Sequence, residues 1–438
     1  MIVGVYSDFC AVAPSPDALA LLERPLAQGP GGEVLDLVRP WRNERPPGLG
    51  DALIYPPGEE PRRALVQGAL PPVRQVLVVL VNFSDAAIAQ PPEHYRDLFF
   101  STGVVPTGSV REYYAEVSRG AVDIQGSVYG PVTLPQPMAY YANNQAGQSP
   151  TQPNLQTFAA HVLSLAGGAL PYKQFDTDGD GFVDAFVIVH AGRDAAETLR
   201  KDQLWSLKWT LPGASFVGAD GTKLYGFLTV AEDARLGVCA HELGHLLFGL
   251  PDLYDISNRS SGIGNWCLMA GGSWNGTPPG TLPAHPSAWC KRKLGWVPVR
   301  RITAPTTVTF DPNECAPGAV LQLDVGRHEY YLVEQRAGIG FDRSLPGAGL
   351  LVWHVDENRP DNQRPNFKVM LVQADNRGEL ERGINRGDPG DPYPGSTGNT
   401  AFGPGTAPAI ASYGASPSTI GLAAIRAASL SISVDCTP

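Results

Sequence analysis

The sequence predicts an α/β (α+β) domain built on a mixed twisted sheet, followed by a β-rich C-terminal domain. Three observations predict it. Between about residues 72 and 298, apolar runs of strand length alternate with stretches of helical period. One of those helical stretches carries two histidines four residues apart. From residue 299 to 438 the chain is strand-like, with Gly and Pro turns. The 438 residues are ample for a large buried core, and 49 Gly and 41 Pro, about a fifth of the chain, make it rich in turns.

A formal net charge of −10, with no run of Lys and Arg, gives no electrostatic footprint for nucleic acid. The longest apolar runs fall well short of the ~20 residues that span a bilayer, so no membrane span is expected. Met1 to Pro16 lacks the basic region of a secretory leader, and Asp8 interrupts its apolar stretch. The six cysteines are even in number but show no disulfide-framework spacing; Cys267 with Cys290 and Cys315 with Cys436 are plausible pairs by domain among the 15 connectivities that six cysteines allow.

Residues 1–71 mix short apolar pieces with GPGG, RPP and YPPGEEPRR, as expected of a Pro/Gly-rich arm or pro-segment. The run VRQVLVVLVNFSD from Val73 is rich in β-branched residues and reads as a strand buried on both faces. PPEHYRDLFF and GSVREYYAEVSRG read as helices, VDIQGSVYGPVTL as β, and Asn154 to Leu165 as a further helix. AFVIVHAG and LYGFLTVAE are strands. GVCAHELGHLLF is a helix stopped by Gly249 and Pro251, and HPSAWCKRKLGW is one more helix. Residues 388–417 read as loop.

The chemistry sits in His241-Glu242-Leu243-Gly244-His245. On a helix, two imidazoles four residues apart share a face and can bind one Zn²⁺, while the glutamate between them acts as general base toward a water. A catalytic zinc needs a third protein ligand. Gly249 can turn the backbone so that Asp252 or Asp255 returns to the metal as an oxygen ligand. Cys10, on the N-terminal arm, is a candidate thiolate ligand that would keep such a site latent. Cys239, two residues before His241, points away from the metal face. His190, His285 and His354 read as structural, with a secondary metal site the other reading of His354, and Tyr254 as packing.

Asp176-Thr177-Asp178-Gly179-Asp180-Gly181-Phe182-Val183-Asp184 places oxygen ligands at positions 1, 3, 5, 7 (the Phe182 carbonyl) and 9, with Gly at position 6. That is the start of a Ca²⁺ loop. Position 12 is Val187 and a strand follows, so an isolated structural Ca²⁺ site is expected and not a sensing helix–loop–helix.

HELGHLLFGLPDLYD followed by NWCLMAGGSWNG resembles the immune inhibitor A-like family of bacterial secreted zinc metallopeptidases, which are metzincin-like zincins of the HExxHxxGxxD type. CAVAPSP near Cys10, GSVREYYAEVSRG, YYLVEQR and LPGAGLLVWHVDEN are similar to family sequence as well, so the resemblance covers most of the chain. It implies zinc on His241, His245 and Asp252, with Asp255 the fallback, Glu242 as catalytic acid/base, and Met269 in a Met-turn. Gly249 follows His241 by eight residues where the family spacing has seven, so the extra residue must be absorbed at that glycine. The resemblance implies a metallopeptidase domain over residues 72–298, an extracellular location, polypeptide substrates and a monomer. Two other classes remain open: a catalytically silent, Ca²⁺-stabilised binding or adhesion protein with a structural zinc, and a hydrolase of non-peptide amides.

Overall fold

A computed structural model of the chain describes residues 10–23, 56, 72–168, 170–310, 320–410, 412–413, 420–428 and 431–438. Most of the Pro/Gly-rich arm read at residues 1–71, and Cys315, lie outside the described residues. The elements run β1 (Cys10–Ala11), α1 (Pro16–Glu23), β2 (Val73–Asn82), α2 (Pro92–Phe100), α3 (Val110–Val117), β3 (Asp123–Thr133), α4 (Met138–Ala142), α5 (Leu155–Ala166), β4 (Ala185–His190) and α6 (Ala195–Thr198). There follow β5 (Leu207–Thr210), β6 (Phe216–Val217), β7 (Lys223–Leu224), β8 (Gly226–Ala231), α7 (Leu236–Phe248), α8 (Ala288–Lys293), β9 (Val299–Arg301), β10 (Thr306–Phe310), β11 (Val320–Asp324) and β12 (Glu329–Arg336). The chain closes with β13 (Gly349–Asp356), β14 (Val369–Val372), α9 (Glu379–Arg382), β15 (Gly421–Ala428) and β16 (Ser431–Thr437). Two compact units result: Met1–Ala115 with Gly120–Pro251 and Pro278–Thr281, and Glu116–Arg119 with Asp252–Thr277 and Leu282–Pro438.

The first unit is organised by a six-stranded mixed sheet in the order β1-β5-β8-β4-β2-β3. β2 pairs in parallel with β3 and β4, and β4 with β8; β5 and β1 then add antiparallel. Val76 to Val81 are fully buried, as a β-branched run covered on both faces must be. The helix α7 packs against β8, β5, β4 and β1 and fills one face of this sheet. On α5, Asn154 closes a capping box with Thr157, a cap worth about 1 kcal/mol.

The N-terminal strand was not expected. Cys10 and Ala11 pair with Lys208 and Leu207, and Trp205 Nε1 donates to the Val12 carbonyl at 2.9 Å. A segment read as irregular arm thus supplies an edge strand, because β5 offers unpaired backbone groups that an extended chain satisfies.

The second unit holds a five-stranded sheet, β14-β13-β12-β11-β9, and a three-stranded sheet, β10-β16-β15. Its apolar core joins Leu321, Tyr331, Val333, Val352, Tyr393, Phe402, Leu422 and Val434. Every residue of β13 is buried, which places His354 inside, stacked on Tyr331 with Nε2 2.7 Å from Glu329 Oε1. The expected Cys267–Cys290 disulfide does not form. Both are buried thiols, hydrogen-bonded to each other and to the Ser287 backbone and hydroxyl, and burial pushes the Cys290 thiol well up. Cys436 is likewise a buried thiol.

Candidate metal centre

The sequence Leu236–Phe248 is helical because its apolar residues meet at nearly every position, and Leu236 to Leu246 are all buried. Tyr114 Oη donates to the Ala240 carbonyl at 2.6 Å and its ring lies 5.0 Å from that of Phe248, fixing the helix from the α3 side. His241, Glu242 and His245 are each fully buried. Spacing of four residues brings the two imidazoles onto one face, with ring centroids 4.7 Å apart and Nε2 atoms 3.0 Å apart.

His245 Nδ1 lies 2.6 Å from the Leu250 carbonyl. That carbonyl can only accept, so Nδ1 carries the proton and the Nε2 lone pair is left to face His241. A backbone acceptor behind one ring nitrogen is the usual support of a metal-binding histidine. Two imidazole nitrogens converging at this distance, one held as an acceptor, are a donor set that fits a cation such as zinc.

The helix runs on to Phe248, and Gly249 takes a left-handed conformation (φ 62°, ψ 27°) with its N–H directed at the Gly244 and His245 carbonyls. Three residues later comes Asp252, which is buried and belongs to the second unit. Its neighbour Leu253 donates its N–H to the Met269 carbonyl at 2.7 Å, while Asn362 Nδ2 and the Ile263 N–H bond the Leu253 carbonyl. Met269, fully buried, therefore braces the segment that carries Asp252 through its backbone carbonyl. Asp255 is committed to its own loop: one oxygen accepts from the Ser257 N–H and hydroxyl, the other from Ser260 Oγ at 2.8 Å.

Residues 72–297 match the family profile described as immune inhibitor A peptidase M6, catalytic domain. The chain belongs to the immune inhibitor A peptidase family. Over 244 residues it is 31% identical to the pre-pro-metalloprotease PrtV of Vibrio cholerae, covering 46% of this chain and 26% of that protein. Over 260 residues it is 30% identical to immune inhibitor A of Bacillus thuringiensis subsp. alesti, covering 48% of this chain and 38% of that protein. The chain thus spans well under half the length of these relatives.

The other residues singled out in the sequence can be traced in the fold. Cys10 and His245 offer ligand atoms within 4.8 Å of one another, because β1 lies against α7. Cys239 is buried and burial pushes its thiol far up, as for a core residue. Among the other histidines, His190 is buried with Nδ1 2.9 Å from the Ala191 carbonyl, and His285 bonds Glu116 Oε1 at 2.8 Å. Tyr254 is buried.

In the acidic loop, ligand oxygens of Asp176, Asp178 and Asp184 lie within 4.8 Å of one another. Gly179 (φ 75°) and Gly181 (φ 92°) provide the left-handed turns, and the Gly181 N–H binds Asp176 Oδ2 at 3.0 Å. The Asp180 carboxylate caps the Phe182 N–H at 2.8 Å. Asp176 Oδ1 and Asp184 Oδ2 are buried and meet no hydrogen-bond donor among the described residues. Burial pushes the Asp184 carboxyl up to about 8, with Arg74 opposing and Asp178 adding to the rise. The only residue of the sequence-derived set with its carbonyl as the ligand, Phe182, begins the buried approach to β4. No helix among the described residues is long and apolar enough to cross a membrane.

Proposed function

We propose that this chain is a secreted, zinc-dependent endopeptidase that hydrolyses peptide bonds with Glu242 as general base. The observation that carries the reading is the pair of buried imidazole Nε2 atoms 3.0 Å apart on α7, with a buried glutamate between them. His241, His245 and Asp252 would hold the metal; Asp255 is passed over because both of its oxygens serve its own loop. Bound zinc supplies Lewis acidity, which acidifies a water and polarises the scissile carbonyl. Glu242 would take a proton from the attacking water and deliver it to the leaving amine. The Leu250 carbonyl holds the His245 tautomer, and Met269 steadies the backbone beside Asp252.

The catalytic domain is assigned to residues 72–298 and the β-rich domain to 299–438, in a chain expected to act as a monomer on extended polypeptides. A substrate added along a sheet edge suits this reading, since β5 already accepts the extended strand β1. That strand brings Cys10 near His245, which supports a sulfur ligand that keeps the enzyme latent until the N-terminal segment leaves. Asp176, Asp178, Asp180, the Phe182 carbonyl and Asp184 would hold a structural Ca²⁺, a weak-site design suited to an extracellular protein.

A silent binding protein with structural zinc fits less well, because a structural site is closed by four ligands and has no use for a buried glutamate at Glu242. Metal content and zinc affinity test the assignment. One zinc per chain is expected, with affinity falling sharply in His245→Ala and Asp252→Ala and holding in Asp255→Ala; equal loss in the two aspartate variants would overturn the ligand set.

A further inference from the structure

The second unit carries another group of carboxylates, distant in sequence from the 176–184 loop and built differently. Asp375 follows β14, and Asp388 and Asp391 lie in the turn Asp388-Pro389-Gly390-Asp391. Ligand oxygens of all three lie within 4.8 Å of one another. Asp391 is fully buried and the Asp375 side chain is 2% exposed. Their inward oxygens, Asp391 Oδ1 and Asp375 Oδ2, are buried and meet no hydrogen-bond donor among the described residues. The Asp375 oxygen lies 3.6 Å from the exposed Arg377 guanidinium.

The remaining oxygens are tied down. Asp391 Oδ2 accepts from Trp266 Nε1 at 3.0 Å and from the Asp388 N–H at 3.1 Å; Asp388 accepts from the Gly390 N–H and from Asn385 Nδ2. The Arg377 N–H binds Asp375 Oδ1. These bonds orient the cluster and leave one face of it unserved. A Cβ at Gly390 would stand 2.7 Å from Asp375 Oδ2 and 2.9 Å from Asp388 Oδ1, so a glycine keeps that space open. Carboxylates crowded together with the exposed Arg377 guanidinium 3.6 Å away as a counter-charge are costly, and a cation among them offsets that cost.

We propose that Asp375, Asp388 and Asp391 bind a hard divalent cation of the Ca²⁺ class, at a site separate from the 176–184 loop. An all-oxygen donor set on a loop, completed by water, is what Ca²⁺ accepts and a thiophilic metal does not. The ion would also lock the 385–391 loop onto the stretch that leads to Met269: Trp266 binds Asp391, the Asn265 N–H binds the Arg386 carbonyl, and Ser261 Oγ binds the Asn385 carbonyl. Gly387 (φ 115°) lies so close to the Trp266 ring that a Cβ would meet Nε1 at 2.4 Å.

The test uses the full chain carrying Asp178→Asn, which silences the 176–184 loop. Tb³⁺ is added and its emission excited through tryptophan, with Ca²⁺ as competitor and bound Ca²⁺ counted by equilibrium dialysis. Saturable emission displaced by Ca²⁺, with one Ca²⁺ per chain, is expected. Adding Asp375→Asn should weaken both by at least about tenfold, the loss of one of three protein ligands. Adding Gly390→Ala, which keeps every carboxylate and inserts one methyl, should do the same. In EDTA, Asp375→Asn should melt no lower than its parent, since a repulsive charge is gone, and in Ca²⁺ it should melt lower. Unchanged Ca²⁺ binding in both variants overturns the site; so does Asp375→Asn melting lower by the same amount in EDTA and in Ca²⁺, which marks a purely structural carboxylate.

Discussion

Replacing Asp342 by Asn tests how the second unit holds its own segment leading to Met269. Asp342 closes a buried chain of four charges: Lys291 Nζ donates to Glu334 Oε2 at 2.5 Å, Arg336 Nη1 to Glu334 Oε1 at 3.2 Å, and Arg336 Nη2 and Nε to the two Asp342 oxygens. Lys291, Glu334 and Arg336 are each no more than 1% exposed. The four charges cancel. Arg336 also donates to the Trp266 and His285 carbonyls, and His285 N–H binds Asp342, so the network grips the segment leading to Met269. Asparagine would turn one of the two Arg336 acceptors into a donor and leave a buried positive charge uncompensated.

Breaking a buried pair this way costs about 3–5 kcal/mol, and for a unit of this size that lowers the melting transition by roughly 6–20 °C. Burial raises the Asp342 carboxyl, but Arg336 and His285 outweigh it and hold it below the usual range. A depressed carboxyl stabilises the fold above its unfolded value near pH 4 and loses that contribution as the pH falls. The gap between wild type and Asp342→Asn, followed by calorimetry and urea unfolding, should therefore be full at pH 7 and close below about pH 4. Asp324→Asn is the control, because its partner Arg301 is 66% exposed and such pairs are worth about 1 kcal/mol or less. Equal costs for the two substitutions would refute the reasoning.

Gly249→Ala should destabilise by about 1–2 kcal/mol from the left-handed conformation alone and weaken zinc binding; chemical unfolding and metal titration read both effects. At Asp194, burial pushes the carboxyl up to about 7 against the bonds from Ser206 and Ala196. A raised carboxyl favours the fold fully below about pH 4 and loses that favour as pH rises through 7, so Asp194→Asn should flatten this fall in urea unfolding between pH 4 and 8. Cys10→Ser should remove the thiolate charge-transfer band of the cobalt-loaded protein and raise activity before any processing; a band of unchanged intensity would exclude sulfur from the metal.

Much of the fold was legible because the signals were local and strong. The β-branched run at Val73 could only be an interior strand, and the uninterrupted apolar helix around His241 could only be buried against a sheet. The histidine pair was readable from spacing, since helical geometry alone puts positions four apart on one face. What depended on distant backbone was not. The edge strand at Cys10 exists because β5, far along the chain, offers free backbone groups, as the pairing of Ala11 with Leu207 and of Cys10 with Lys208 records. The Leu253–Met269 backbone bond has no sequence signature. Asp388 and Asp391 passed as loop residues within 388–417 and Asp375 was not singled out, although two aspartates three apart around a Pro-Gly turn were the available hint. The expected Cys267–Cys290 disulfide shows the opposite lesson: domain membership brought the thiols together, but it does not decide their oxidation state.

The most direct test of the central claim is time-resolved digestion of an unfolded protein by the purified chain, with Glu242→Ala and a zinc chelator run beside it. Cleavage is expected once Cys10 is replaced by Ser or the N-terminal segment is removed, abolished by the chelator and restored by zinc, and slowed by about 10²–10⁴-fold by Glu242→Ala in the same background while that variant still binds one zinc. Cleavage by zinc-loaded Glu242→Ala at its parent's rate, or inertness of zinc-loaded wild type and Cys10→Ser alike, would contradict it.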